Sequence, residues 1–409
     1  MIRPGECTGG GTHDPPVALG EARGQERSAM KPLDGIKVVE MAGLAPSPYC
    51  GMLLADFGAD VVVVDRPSKG MPEIPNVMAR NPFDRGKRSL RVNLKTAEGA
   101  GIMRRLIQHS DVLMEPFRPG VMEGLRLGPE EALSLNPRLI YARLTGYGQE
   151  GPYARLAGHD INYIALSGAL SLFRRKGERP LPPCNILGDF AGGGMLCAFG
   201  ILLALIERAR SGKGQVVDAA MVDGAANLLT YFFGLLAHRL MTLDIGTNML
   251  DGGAPYYQTY ETRDGKFMAV GAIEARFYEL LLHGLGLDPS SLPPQNDEAR
   301  WPEVTARFAE AFRTKTRDEW TAIFEGKDAC VAPVLDLHEV GFHPHNRARG
   351  LITTLDGIDQ PAPAPRLSRT PGEATKGGTA RGAETREVLE QLGYGPDEVE
   401  QFYGKSIVE

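Results

Sequence analysis

IKVVEMAGLAPSPYCGMLLADFGADVVVVD, residues 36–65, sets the architecture of this chain of 409 residues. It begins with a β-branched run at 36–40, passes through a loop at 42–48, follows a helical pattern as far as Phe57-Gly58, and ends in a valine run at 61–64. Short β-branched runs favour strands, and a glycine after a helical pattern favours the end of the helix. The stretch therefore predicts a compact β-α-β unit, in which a helix connects two parallel strands.

The same alternation continues along the chain. The pattern predicts a helix at 98–109, strands at 112–114, 139–144 and 215–218, and a long apolar helix at 192–208. Strands that alternate with helices are typical of an α/β fold. We therefore expect a doubly wound, Rossmann-like parallel sheet with helices on both faces.

The pattern changes near residue 257, where 257–260 and 267–271 predict an antiparallel hairpin, followed by helices. This region is interpreted as a smaller α+β domain. The predicted division is a disordered N-terminal extension, a large α/β domain, a helical linker, the small domain, and a return linker whose C-terminal helices pack on the large domain: residues 1–31, 32–220, 221–257, 258–343 and 344–409.

Composition argues against several classes of protein. The formal net charge is −6, and basic side chains are interspersed with acidic ones, so nucleic acid is not an expected partner. No apolar run approaches the roughly 20 residues of a membrane helix, and residues 1–31 lack the apolar core of a secretion signal. We expect no membrane partner and no secretion.

The loop after the first strand bears on dinucleotide binding. A dinucleotide fold places G-x-G-x-x-G there, so that the backbone can approach a pyrophosphate. This loop has a single glycine, Gly43, and two prolines, Pro46 and Pro48. Asp65 ends the second strand, where a ribose-binding acid would lie, but one acid without the glycines is weak support. The sequence disfavours a nicotinamide cofactor.

Four blocks carry a resemblance to a known family. They read GHDINY at 158–163, NILGDFAGGG at 185–194, NMLDGGAP at 248–255 and GAIE at 271–274. Together they resemble the racemase branch of the family III CoA-transferase superfamily, and the similarity runs from about residue 32 nearly to the C-terminus. The resemblance implies racemisation of the α-carbon of 2-methyl-branched acyl-CoA thioesters by 1,1-proton transfer through an enolate.

Such a reaction removes a proton from one face of the carbon and returns one to the other, so it needs two acid–base groups. The resemblance assigns these roles to His159 and Asp189. It also implies that Glu274 hydrogen-bonds the imidazole of His159. If a helix begins just after His159, the backbone N–H of Asp160 would donate to the enolate oxygen. No metal and no cofactor is expected, because CoA is part of the substrate.

The resemblance also implies cationic contacts with CoA. Arg66 and Arg118 match family positions that contact this moiety, and the guanidinium fork suits phosphate. Weaker candidates, since exposed cations are usually only solvated, are Arg85, Lys87, Arg88 and Lys95. Met221 and Met249 lie in blocks that match the family's apolar surface for the acyl tail.

Two alternatives stay open. A family III CoA-transferase would use Asp189 as a nucleophile, but in that branch the Gly-x-Asp motif usually carries Tyr, so His159 favours proton transfer. A non-catalytic acyl-CoA-binding protein would need neither base. His343 and His345 flank a proline, yet two histidines without a carboxylate partner are weak support for a metal site.

The resemblance further implies an interlocked homodimer in which Glu274 would reach His159 across the subunit boundary. It leaves the compartment open, since related racemases occur in bacterial cytoplasm and in peroxisomes or mitochondria. The final residues, 406–409, are not a peroxisomal signal.

Overall fold

A computed structural model describes residues 30–68 and 81–409 of the chain. The predicted disordered extension, 1–31, lies outside that part except for its last two residues. The central sheet has six strands, β1 to β6: Lys37–Met41, Asp60–Asp65, Arg88–Arg91, Val112–Glu115, Ile140–Thr145 and Gln215–Ala220. Their spatial order is β3-β2-β1-β4-β5-β6, and every neighbouring pair is parallel. The predicted doubly wound parallel sheet is confirmed, with the strand order of a Rossmann fold.

Helices cover both faces of this sheet. They are α1 to α8: Pro46–Asp56, Ala97–Gln108, Val121–Gly124, Pro129–Leu135, Asp160–Leu166, Leu196–Ser211, Met221–Asn227 and Thr230–Ala237. Successive residues of a strand point to opposite faces, so Val38 enters the core formed with α1 and α6, and Val39 enters the core formed with α2 and α4. Because both faces are covered, the inner strands β1, β2 and β4 carry continuous apolar runs rather than a strict alternation.

A π-helical segment, Ile186–Met195, runs directly into α6. The sequence pattern predicted that this helix begins at residue 192, six residues later than the structure has it. The continuous helix Ile186–Ser211 is long and apolar enough to cross a membrane by length and composition alone, so the expectation that no segment reaches that length is wrong. In this structure the helix packs against the sheet through Cys197, Ala198 and Ile201.

The region that the sequence predicts as a small domain, for which we keep that name, contains an antiparallel sheet. Its strands are β7 to β9, Tyr257–Glu261, Phe267–Gly271 and Val331–Pro333, and its helices are α9 to α11, Ala275–Leu285, Trp301–Phe312 and Arg317–Phe324. The predicted hairpin is β7–β8. An aromatic core that includes Tyr260, Phe312 and Trp320 fills the space between this sheet and the helices.

The chain then returns to the large domain. The C-terminal elements are α12, β10, β11, α13 and α14: Pro344–Ala348, Ile352–Leu355, Ile358–Pro361, Thr385–Gln391 and Pro396–Gly404. Single 3-10 turns lie at Pro82–Asp84, Ala169–Leu172, Pro289–Ser291 and Glu298–Arg300. Leu389 of α13 and Val399 of α14 share a core with Val39 and Leu90, and Val408 pairs with Val92. The last residues of the chain therefore complete a core that the first strands begin.

Candidate active site

A cavity of about 740 Å³ opens at the carboxyl ends of the strands of the large sheet. Its walls come from the loops after β1, β4 and β5 and from the first residues of α5, the π-helical segment and α7. The strand order reverses between β1 and β4, and α/β sheets bind ligands at this switch point. The topology alone therefore places a binding site here.

Gly43 allows the loops after β1 and β4 to meet at the cavity wall. A Cβ atom at Gly43 would lie 2.3 Å from Cγ of Pro116, so no larger residue fits without moving the loop. Pro46 then starts α1 at its first position, where a missing N–H costs the helix nothing. This loop is shaped for close contact between loops, and it lacks the run of glycines that cradles a pyrophosphate.

His159 lies immediately before α5, which begins at Asp160 as expected. The backbone N–H of His159 donates to Oδ1 of Asn162 at 3.1 Å, and the hydroxyl of Tyr163 donates to the carbonyl of Gly158. These bonds fix the residue at the helix end, while its side chain lies exposed at the cavity wall. The amide of Asp160 is the first of the helix and has no intrahelical acceptor, so it can donate to a ligand oxygen.

Asp189 lies in the first turn of the π-helical segment and lines the same cavity. Burial raises the pKa of this carboxyl above its usual range; a hydrogen bond from Asn185 opposes the shift, and the negative charge of Asp160 adds to it. The side-chain amide of Asn185 donates to Oδ2 of Asp189 at 3.0 Å. A carboxyl with a raised pKa can both accept and donate a proton nearer neutral pH.

The carboxylate of Asp160 makes a connection that the sequence analysis did not anticipate. Its Oδ2 accepts hydrogen bonds from the backbone N–H groups of Gly188 at 2.6 Å and Asp189 at 2.8 Å. Only 5% of Asp160 is exposed. In the sequence, an acidic residue at the first position of a helix looks like an ordinary helix-stabilising residue. No sequence pattern indicates that its carboxylate bonds to an amide 28 residues away.

The glycines after Asp189 bring the π-helical segment close to its neighbours. A Cβ atom at Gly192 would lie 2.7 Å from the amide nitrogen of Ala225, and one at Gly194 would lie 2.6 Å from the carbonyl oxygen of Pro46. The helix backbone therefore contacts both α7 and α1 directly. This close packing positions Asp189 against the cavity.

The structure does not bring Glu274 to this cavity within one chain. Glu274 precedes α9 in the small domain and is exposed. Among the described residues, those that line the cavity all belong to the large domain and the start of α7. Met221 lines the cavity with His159, whereas Met249 lines a separate cavity beside the small domain.

Three of the cationic candidates for CoA are exposed on the carboxyl side of the sheet. Arg118 lines the cavity itself, in the loop after β4. Arg66 follows β2 directly, and Lys95 lies in the turn after β3. All three therefore lie on the side of the sheet where the cavity opens, and only Arg118 lines it.

The other three candidates are engaged within the fold. Their carboxylate partners lie at 2.6–2.7 Å, and the pairs are Arg85 with Asp56, Lys87 with Glu40 and Arg88 with Asp60. Arg85 and Lys87 are 3% and 2% exposed, and Arg88 belongs to strand β3, which the sequence analysis did not foresee. The structure therefore corrects the expectation that these side chains face CoA, because their donors already satisfy carboxylates of the protein.

A network of charged side chains holds the loop that carries Arg118. Glu115, fully buried at the end of β4, accepts from Nε of Arg143 at 2.8 Å and from the amide of Phe117 at 2.8 Å. Arg143 also pairs with Glu123, which accepts from the amide of Gly120. Burial raises the pKa of Glu115 to about 6, although Arg143 acts against the shift. The loop is thus anchored on both sides of Arg118.

Within the part of the chain that the structure describes, Asp336, His338 and Glu339 form the one grouping with the spacing of metal ligands. Two of these residues are exposed, and Glu339 is held by Arg317 at 2.6 Å. The grouping is remote from the cavity and does not include His343 or His345. The absence of a metal from the reaction stays a prediction.

A family profile described as CoA-transferase family III matches residues 33–385. The chain belongs to this family. Its relatives include proteins named α-methylacyl-CoA racemase from Mus musculus and Homo sapiens, each 52% identical over 379 residues, which cover 92% of this chain and 97% of theirs. A crystal structure of a CAIB/BAIF family protein from Brucella suis has a TM-score of 0.76, with 28% identity over 88% of this chain and 99% of the other. The family III resemblance of the sequence is therefore confirmed, and a solved relative shares the fold.

Proposed function

We propose that this family III chain racemises the α-carbon of 2-methyl-branched acyl-CoA thioesters, with His159 and Asp189 as the two proton-transferring groups. The observation that carries the proposal is their placement: each lies at the start of a helix, and both line one cavity at the switch point of the sheet. The 52% identity to proteins named α-methylacyl-CoA racemase supports the racemase branch over other members of the family.

The steps follow from the chemistry of the thioester. One base removes the α-proton, and the electron pair of the C–H bond moves into the C–Cα bond as the carbonyl becomes an enolate. The first amide of α5, on Asp160, and the positive end of the helix stabilise the enolate oxygen. The other group, protonated, then returns a proton to the opposite face. No electron leaves the substrate, so the proposed reaction needs no redox cofactor, and the amide of Asp160 would supply the stabilisation of the enolate oxygen that a Lewis-acidic metal gives elsewhere.

The cavity and its rim suggest where the rest of the substrate binds. Arg118 on the cavity wall and Arg66 at the end of β2 would contact the phosphates of CoA, with Lys95 further along the same edge. Met221 would contact the branched acyl chain, because a flexible thioether tolerates varied apolar shapes.

A second copy of the chain would complete the site. The side of α6 that faces away from the sheet carries apolar side chains that are exposed in the single chain: Phe199, Leu202, Leu203 and Ile206. Exposed apolar patches of this kind mark protein interfaces. In an interlocked homodimer the small domain of one subunit would cover the cavity of the other. Glu274 would then reach His159 of the partner and orient its imidazole.

Deuterium exchange tests the proposal. In D2O, with a single enantiomer of a 2-methylacyl-CoA and no carboxylic acid present, the protein should incorporate solvent deuterium at Cα while the optical purity falls. Added EDTA should leave both rates unchanged.

The alternative function is a CoA-transferase in which Asp189 attacks the thioester. It predicts the opposite pattern, with no exchange and with transfer of CoA to an added carboxylate. That result would contradict racemisation and support the transferase.

A further inference from the structure

The carboxylate of Asp160 joins the two helix ends that carry the bases. Asp160 is the first residue of α5, directly after His159, and its Oδ2 accepts from the first-turn amides of the segment that carries Asp189. A single side chain is therefore covalently next to one base and hydrogen-bonded to the backbone of the other.

Electrostatics explains why a carboxylate is suited to this place. Two helix N-termini, each with a partial positive charge, converge on the cavity, and a negative charge between them stabilises both. A carboxylate that accepts from backbone amides at the start of a helix forms charge-assisted hydrogen bonds, which are stronger than those between neutral groups. Without this carboxylate, two buried amides would lose their acceptor.

Gly188 shows that the contact is built into the chain. A Cβ atom at this position would lie 2.6 Å from Oδ2 of Asp160 and 3.2 Å from a methyl group of Ile164. The glycine before Asp189 lets the carboxylate approach the helix end. The Gly-Asp pair of the motif at 185–194 thus has a steric explanation.

We propose that the Asp160 carboxylate is a positioning residue for proton transfer, which fixes the distance and orientation between His159 and Asp189 by locking their helix ends together. This inference rests on the proposed function. It is separate from the role of the Asp160 backbone amide, which any residue at this position would supply.

A second consequence concerns protonation. Three titratable groups surround Asp189. The negative charge of Asp160 raises the pKa of Asp189, and a positive charge on His159 lowers it. The third group is the phenol of Tyr163 in α5, whose own pKa is raised by burial and, to a lesser extent, by the charge of Asp189. The other oxygen of Asp160, Oδ1, is buried without a hydrogen-bond partner among the described residues, so its charge is poorly screened. A neutral side chain of the same shape should therefore let Asp189 ionise at lower pH.

Two substitutions separate these effects. Asp160→Asn retains a carbonyl oxygen that can accept from both amides but carries no charge, and Asp160→Ala removes the acceptor. For Asp160→Ala we expect kcat to fall by roughly 10- to 100-fold, with KM for the acyl-CoA within about twofold, since small misplacements of reacting groups have costs of this size. Asp160→Asn should recover most of kcat and shift the acidic limb of the pH profile to lower pH, in the direction that uses Asp189 as the base.

The control is Asp288→Ala, which removes a carboxylate that accepts from the amide of Ser290 at a helix start in the small domain. It should change neither kcat nor the pH profile. Equal losses in both Asp160 variants, or wild-type kcat in Asp160→Ala, would overturn the positioning role. If Asp160→Ala does not fold, a loss of kcat of roughly 10-fold or more in Asp160→Asn would overturn the positioning role, because this variant keeps the acceptor that holds both helix ends. Absence of exchange in the wild-type protein would instead contradict the proposed function itself.

Discussion

His159 and Asp189 are tested most directly by removing one at a time. Each of His159→Ala and Asp189→Ala should lower deuterium incorporation at least ~100-fold, which is the low end for lost acid–base catalysis, while CoA affinity stays within about twofold. Exchange is measured by mass spectrometry from each pure enantiomer. His109→Ala, at an exposed histidine that ends α2, is the control and should behave as wild type. Unchanged exchange in both variants would contradict the two-base mechanism.

The hydrogen bond from Asn185 to Asp189 gives a prediction with a definite sign. A bond to the ionised carboxylate lowers its pKa, so Asn185→Ala should raise the pKa further. As a base, Asp189 must be ionised, and the acidic limb of kcat/KM should therefore move to higher pH in the direction that uses it. The profile is measured for both enantiomers, and a limb that moves to lower pH would refute the assignment.

The sequence pointed to both proposed bases but not to their surroundings. His159 and Asp189 are proposed because short motifs around them resemble family III, and the helix after His159 followed from the local pattern. The carboxylate contact of Asp160 joins residues 28 apart, and no local pattern encodes it. Arg85, Lys87 and Arg88 were misassigned for the same reason, because their partners lie on α1, β1 and β2, and only the tertiary structure shows that the cations are already paired.

At the level of elements, the contact of the π-helical segment with α7 depends on glycine. A Cβ atom at Gly224 would lie 1.9 Å from the carbonyl oxygen of Gly192, so Gly224→Ala should destabilise the protein by about 1–3 kcal/mol through overpacking. Urea denaturation measures the change. The matched control is Gly101→Ala in the middle of α2, where no atom lies within 4 Å of the added methyl group; it should stabilise the protein by up to about 1 kcal/mol. Similar stability for the two variants would contradict the packing described here.

The buried pair of Lys87 and Glu40 ties β3 to β1 and to the first turn of α1, because Lys87 also donates to the carbonyl of Pro48 at 2.8 Å. Lys87→Met leaves a buried carboxyl without its partner and should cost about 3–5 kcal/mol of unfolding free energy. Glu40→Gln together with Lys87→Met should recover part of the loss. Full stability in the single variant would show that the pair is dispensable.

The loss should also depend on pH. Burial raises the pKa of Glu40 to about 7 even with Lys87 present, so in Lys87→Met the pKa rises further. A carboxyl such as Glu40, whose pKa is higher in the folded protein than in the unfolded chain, stabilises the folded state at pH values below its unfolded-state pKa. This stabilisation is lost as the pH rises through the folded-state pKa. The variant should therefore be more strongly destabilised at about pH 8 than at about pH 5, and denaturation at the two pH values checks the sign.

Two elements, strand β3 and the π-helical segment, were not predicted from the sequence, and each has a physical reason. Strand β3 is short, lies at the edge of the sheet and alternates Arg88, Ser89, Leu90 and Arg91, so its charges resemble a surface loop. The π-helical segment contains three consecutive glycines, which are poor helix formers; its stability comes from packing on α1 and α7. Strands β1, β2, β4 and β5 were predicted to within one residue at each end, since burial on both faces leaves an unambiguous signal. Strand β6, which is more exposed, was predicted two residues too short.

The whole molecule is expected to act as a dimer, and mixing subunits tests whether sites are shared. A Glu274→Gln subunit paired with a His159→Ala subunit would form one intact site, with His159 from the first and Glu274 from the second. Refolding an equal mixture should restore roughly a quarter of wild-type activity, because half of the dimers are mixed and each has one good site of two. A mixture of His159→Ala with Asp189→Ala is the control, and it should restore none because both residues belong to one chain's cavity. No recovery in the first mixture would contradict a site shared between subunits, and full activity of Glu274→Gln alone would place Glu274 outside the site.

The return of the C-terminal helices to the first strands governs the biosynthesis of the protein. Val39 of β1 and Leu90 of β3 share their core with α13, α14 and Val408, so α2 and α4 cover only part of this face until those later segments have been synthesised. Domains that are complete in sequence can fold during translation, from the N-terminus onward. This core is not continuous in sequence, so the apolar side chains that α13 and α14 cover remain exposed during synthesis until those helices are made.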